Sequence, residues 1–173
     1  MMGGTLGVAK VERRVILWPG ALGTAQTLGI MREYIRKDAA DPGVRWLARW
    51  AVKDCTPNNN EQYADALRAG LLDWFPYQRD PRGVEELTRP ARLAAEIIRG
   101  EQLGNDCDDS AMLGAAMALA VGMRARLRAM VIDGPLAPFR HVRAETLSKR
   151  GWHSLDVAFP AAKDSRPPML REV

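Results

Sequence analysis

Cys107, His141 and Asp156 are the residues whose types and order could do covalent chemistry in this chain. A thiol, an imidazole and a carboxylate can serve as nucleophile, base and orienting group. The chain holds two cysteines and two histidines, so few other constellations can be built from it. Cys107 lies in Gly104-Asn105-Asp106-Cys107-Asp108-Asp109, directly before the apolar run AMLGAAMALAV. That run is apolar on every helical face and predicts a buried helix. Asp106 is a good N-cap, which makes Cys107 the first helical residue. Unpaired backbone N–H groups there favour a thiolate and can donate to an oxyanion.

Three carboxylates beside the thiol oppose its ionisation, so a nearby imidazolium is needed to offset them. Asp106, Asp108 and Asp109 with a histidine also invite a metal reading. Successive Asp108 and Asp109 point about 100° apart on a helix, which argues against one shared ion. Neither a metal nor a cofactor is expected.

His141-Val142-Arg143-Ala144-Glu145 and Trp152-His153-Ser154-Leu155-Asp156 alternate as strands do. Leu147–Gly151 between them predicts a turn. A turn centred between Ser148 and Lys149 sets His141 opposite Asp156, with Cβ atoms ~5 Å apart on one face. A one-residue slip would separate them. His153 then faces the other side of the sheet.

The elements that must position these residues follow from periodicity and caps. Lys10–Trp18 predicts a strand, and Thr24–Lys37 a helix capped by Thr24. Asp41-Pro42 starts a helix running to about Lys53. Asn60 caps a helix bearing Tyr63, Leu67, Leu71 and Phe75, and Pro90–Arg99 is a short amphipathic helix stopped by Gly100. Strands are expected at Arg124–Ile132, Phe139–Thr146 and Trp152–Ala158. The fold class is α+β: a helical N-terminal half, then a buried cysteine helix packed on a small antiparallel sheet. One domain over 1–173 is the simplest division, with a Pro-rich extended tail over 159–173. Trp18, Trp46, Trp50, Trp74 and Trp152 can serve a core or a buried interface.

No apolar run approaches the ~20 residues of a membrane span. The start lacks the basic and long apolar regions of a signal peptide, which favours a cytoplasmic, reducing setting with free thiols. Residues 122–173 carry 10 basic and 5 acidic side chains, against 15 and 16 in residues 1–121. A basic third could meet nucleic acid, but the arginines are spaced and unclustered, which argues against it.

Three blocks together resemble the transglutaminase-like cysteine peptidase superfamily, of papain-like architecture. They are Gly104–Cys107 through Gly122-Met123-Arg124-Ala125-Arg126, His141-Val142-Arg143, and Trp152-His153-Ser154-Leu155-Asp156. Tyr77-Gln78-Arg79-Asp80-Pro81 is similar to the tyrosine-containing stretch before the cysteine block. The Asp-Cys-Asp-Asp version resembles small members encoded by tailed bacteriophages and prophages. The resemblance implies a Cys107–His141–Asp156 triad acting on a peptide or glutamine-type amide. It implies a second oxyanion donor from an upstream side chain, with Trp74, Gln78 and Gln102 as candidates. It also implies a place in a virion as tail, neck or head component, beside other phage structural proteins. The alternative is a non-catalytic assembly protein that keeps the fold. Arg143 departs from the family, which has an aromatic residue after the histidine.

Overall fold

The computed structural model describes residues 20–74, 87–101, 106–131, 141–159, 163 and 167–173. The helical half comprises α1 (Gly20–Asp38), α2 (Pro42–Ala51), α3 (Asn60–Trp74) and α4 (Pro90–Ile98). The central helix is α5 (Cys107–Ala120). The strands are β1 (Ala125–Met130), β2 (His141–Ser148), β3 (Gly151–Ser154) and β4 (Met169–Glu172). They form one antiparallel sheet in the order β3-β2-β1-β4. The α+β class expected from the sequence is the class observed.

Helix α5 sits at the centre because no side of it can face water. Met112, Leu113, Ala115, Ala116 and Met117 are all fully buried. Helices α1, α2, α3 and α4 and strands β1 and β2 all pack on it. Gly114 lets α3 and the segment after β3 come close: a Cβ there would lie 2.9 Å from Leu71 Cδ1 and 3.5 Å from Leu155 Cδ1. Gly122, at φ +81°, follows the end of the helix in a conformation that suits glycine.

The caps depart from expectation in instructive ways. Thr24 does not cap α1; the helix begins at Gly20, and Thr24 Oγ1 donates back to Gly20 O at 3.3 Å. Asp41 caps α2 as expected, accepting from Gly43 N at 2.8 Å and Val44 N at 3.2 Å. Asn59 rather than Asn60 caps α3, accepting from Gln62 N at 3.2 Å. Asn60 instead reaches Leu147 O in β2 at 3.3 Å. Helix α4 takes an acceptor from another helix: Asp38, at the end of α1, accepts from Ala91 N at 3.1 Å and pairs with Arg89. Lys10–Trp18 and Phe75 lie outside the described residues.

The sheet has two chemically different faces. Ala125, Leu127, Ala129 and Ala144 join the core. Arg126, Arg128, Arg143 and Glu145 share the other face, with Arg126 opposite Glu145 and Arg128 opposite Arg143. Buried Glu145 is held by Arg126 at 2.6 Å, Arg143 at 2.8 Å and Arg128 at 3.5 Å. The Arg126 guanidinium also lies 4.1 Å from the Trp152 ring centre.

Within the segment 159–173, Met169–Glu172 forms strand β4. Met169–Glu172 pairs with β1, and Arg32 Nε donates to Glu172 O at 2.9 Å. The strand expected over Trp152–Ala158 stops at Ser154. Beyond it the Asp156 carboxylate takes the N–H groups of Ala158 and Phe159, which turns the chain away from the ladder.

Gly114→Val would press a β-branched side chain against Leu71 and Leu155. Overpacking there is expected to cost about 1–3 kcal/mol in urea unfolding. An unchanged midpoint would show that these leucines do not press on α5.

Candidate active site

The hairpin β2–β3 builds the first part of the site. Its turn is centred between Lys149 and Arg150, because Ser148 pairs with Gly151. This differs from the expected centre between Ser148 and Lys149. The pairs run Leu147 with Trp152, Thr146 with His153 and Glu145 with Ser154. Leu155 N donates to Ala144 O at 2.9 Å, which carries the register one residue further. Continued again, Asp156 would face Arg143 rather than His141. The slip is therefore two residues, and a two-residue slip keeps side chains on the same face. His141 still reaches Asp156, diagonally: Nε2 lies 2.5 Å from Oδ2.

Both side chains are almost fully buried, at 1% and 2% exposure. Asp156 Oδ1 accepts from Ala158 N at 2.9 Å and Phe159 N at 3.0 Å. Its own N–H donates to Ser154 Oγ at 3.1 Å, and Arg68 Nε donates to its carbonyl at 3.2 Å. The Phe159 ring stands edge-on to the imidazole, with centroids 5.1 Å apart. Burial, the largest single influence, pushes the Asp156 carboxyl up. The hydrogen bond and charge of His141, with the two backbone N–H groups, outweigh burial and hold it below the ordinary carboxylate value.

With Nε2–H donated to Asp156, a neutral imidazole presents the lone pair of Nδ1. Nδ1 is buried and has no hydrogen-bond partner among the described residues. The ring is therefore oriented through Nε2, while Nδ1 stays buried.

Cys107 stands on a different element. It is the first residue of α5, partly exposed, and α5 packs on β2 more extensively than on any other strand. Asp106 is the N-cap, accepting from Asp108 N at 3.2 Å. The three aspartates around the thiol do three different things. Asp106 caps. Asp109 turns away and accepts from Thr88 N at 2.7 Å, tying the approach to α4 onto α5. Asp108 is buried, and neither of its carboxylate oxygens has a hydrogen-bond partner among the described residues. Asp106, Cys107 and Asp108 each place one ligand atom within 4.8 Å of the others. Among the described residues no further histidine, cysteine or carboxylate joins this group. Cys55 forms no disulfide, and burial, followed by Asp54 and Asp65, pushes its thiol up.

Of the upstream oxyanion candidates, Gln78 and Gln102 lie outside the described residues. Trp74 is the last residue of α3 and packs against the core. Its ring is folded back over Gly70, 3.0 Å from where a Cβ would stand. His153 is partly exposed and pairs with Thr146, on the face opposite to the His141–Asp156 pair. Sequence reasoning missed Phe159 and Arg68 as walls of the site. The only available signal was that Phe159 follows Asp156 by three residues, within reach of a side-chain-capped turn.

No protein-family model matches the chain, and no curated protein matches it. A crystal structure of a "putative protease" from Parabacteroides distasonis is similar in fold, with a TM-score of 0.54 at 13% identity. The likeness covers 79% of this chain and 26% of that one, so this chain spans about a quarter of that protein's length. Among the described residues no helix is long and apolar enough to cross a membrane.

Asp156→Asn puts an amide NH2 against Nε2–H and forces either a lost bond or the other tautomer. The expected cost at neutral pH is about 1–3 kcal/mol. The native carboxyl lies below its ordinary value of 3.8, so its stabilisation is complete above that pH. It is lost as pH falls through the lower native value. Urea unfolding of both proteins should show the gap closing below about pH 4; a gap constant down to pH 2 would contradict this.

Proposed function

We propose that this protein is a thiol hydrolase acting on peptide or glutamine-type amides. Cys107 is the nucleophile, His141 the base and Asp156 the group that orients it. The observation that carries this reading is the buried His141–Asp156 pair, whose imidazole keeps Nδ1 unengaged among the described residues. The placement of Cys107 at the N-terminus of α5 supports it, as does the fold shared with the Parabacteroides protein.

In the proposed reaction the Cys107 proton passes to His141, and the thiolate sulfur attacks the amide carbonyl carbon. Backbone N–H groups at the start of α5, with Trp74, Gln78 or Gln102, would hold the oxyanion. The tetrahedral adduct collapses, the C–N bond breaks, and His141 returns the proton to the leaving amine. Water then attacks the thioester, giving its proton to His141, and the acid and the thiol are regenerated. An amine in place of water would give transamidation. Hydrolysis is preferred because Cys107 is partly exposed, and transfer needs a site that excludes water. The chemistry needs no cofactor. A place in a phage particle is an implication of the sequence resemblance alone; a Cys107→Ala variant that assembles but does not hydrolyse would separate the two roles.

The pH dependence of iodoacetamide alkylation tests the pair in the Cys55→Ser background. Cys107 should react as a thiolate well below the ordinary thiol value of about 8.5, and His141→Ala should abolish that advantage. An ordinary thiol indifferent to His141 would overturn the proposal.

A further inference from the structure

The outer face of α2 carries a feature that the proposed hydrolysis does not use. Val44, Leu47 and Ala48 face the core, while Arg45, Trp46, Arg49 and Trp50 are exposed. The two tryptophans are 51% and 49% exposed, an unusual state for so large an apolar surface. Their rings stack at 5.6 Å with planes 8° apart, and Lys53 Nζ lies 3.6 Å from the Trp50 ring centre. With Pro42 four residues before Trp46, this makes a ladder along the helix. It lines a groove of about 540 Å³ whose walls include Arg45, Arg49 and Lys53 and, among the described residues, no carboxylate. Among the described elements α2 packs chiefly on α3, α4 and α5, which sets the ladder apart from the sheet bearing His141.

We infer that this groove docks an acidic peptide segment of a partner protein, with apolar side chains set against the tryptophan ladder. Three cations around an apolar ridge are complementary to a segment that alternates carboxylates with apolar residues. Trp and Arg are the residue types that anchor such contacts. A second copy is disfavoured, because two-fold pairing would bring three cations against three. Single-stranded nucleic acid is disfavoured because stacking needs open ring faces. Here one face of Trp50 is covered by Trp46, and Lys53 lies over its ring.

Fluorescence anisotropy with a short labelled peptide of Glu, Asp, Leu and Phe tests the assignment. Its controls are the Lys-for-acid counterpart, a peptide of Glu alone, oligothymidine, and vesicles containing phosphatidylglycerol. The acidic, apolar peptide should bind saturably and weaken with salt. Trp46→Ala should weaken it by about tenfold or more, and Cys107→Ala should leave it unchanged. The double variant Arg45→Glu/Arg49→Glu keeps the ladder and reverses the charge, so it should lose the acidic peptide and gain the lysine one. Absence of saturable binding, indifference to both changes, or tighter binding of oligothymidine or vesicles would overturn the inference.

Discussion

A helix that is apolar on every side cannot end at a surface, and α5 imposes that constraint on everything around it. Four helices and two strands are needed to cover it. Gly114 makes room for Leu71 and Leu155 beside the helix, and Leu155 is followed by Asp156. The carboxylate that orients His141 is thus located by packing on the helix that begins with Cys107. Leu155 thus ties the hairpin to α5, while His141 and Asp156 themselves lie on the sheet face that carries Arg143 and Glu145.

Buried carboxylates hold the layers together, and each does so by a different means. Asp38 joins the end of α1 to the start of α4 through Arg89 and Ala91. Glu145 gathers three guanidiniums on the outer face of the sheet. A buried charge with partners on several elements fixes those elements relative to one another, because losing any one contact leaves a charge poorly solvated. Asp108 stands apart, since its carboxylate has no hydrogen-bond partner among the described residues. It lies in the first turn of α5, where the helix dipole favours negative charge.

The fold class and the central helix were legible because both rest on periodicity: AMLGAAMALAV is unambiguous, and alternation marked β2 and β3. Less legible were features set by contacts distant in sequence. Nothing local distinguishes Asn59 from Asn60 as a cap; the choice follows from Asn60 being drawn to Leu147 in β2. The acceptor for α4 comes from Asp38, 53 residues before Ala91. The turn of the hairpin was misplaced by one position, which moves the register by two. His141 and Asp156 were nevertheless paired, because an even shift preserves the face. The partners expected for β1 did not include Met169–Glu172, since a proline-rich tail gives no sign of which edge it will join.

His141 and Asp156 are 15 residues apart, joined by a single tight hairpin. Closing so short a loop costs little chain entropy, so this pair belongs to the most locally determined part of the molecule. Burying it does not follow from the hairpin alone, since Phe159 and Arg68 must also be brought against it. The His141–Asp156 pair is therefore inexpensive to align and expensive to desolvate. Synthesis order separates the two: Arg68, which donates to the Asp156 carbonyl, precedes the hairpin along the chain, whereas Phe159, edge-on to His141, follows it.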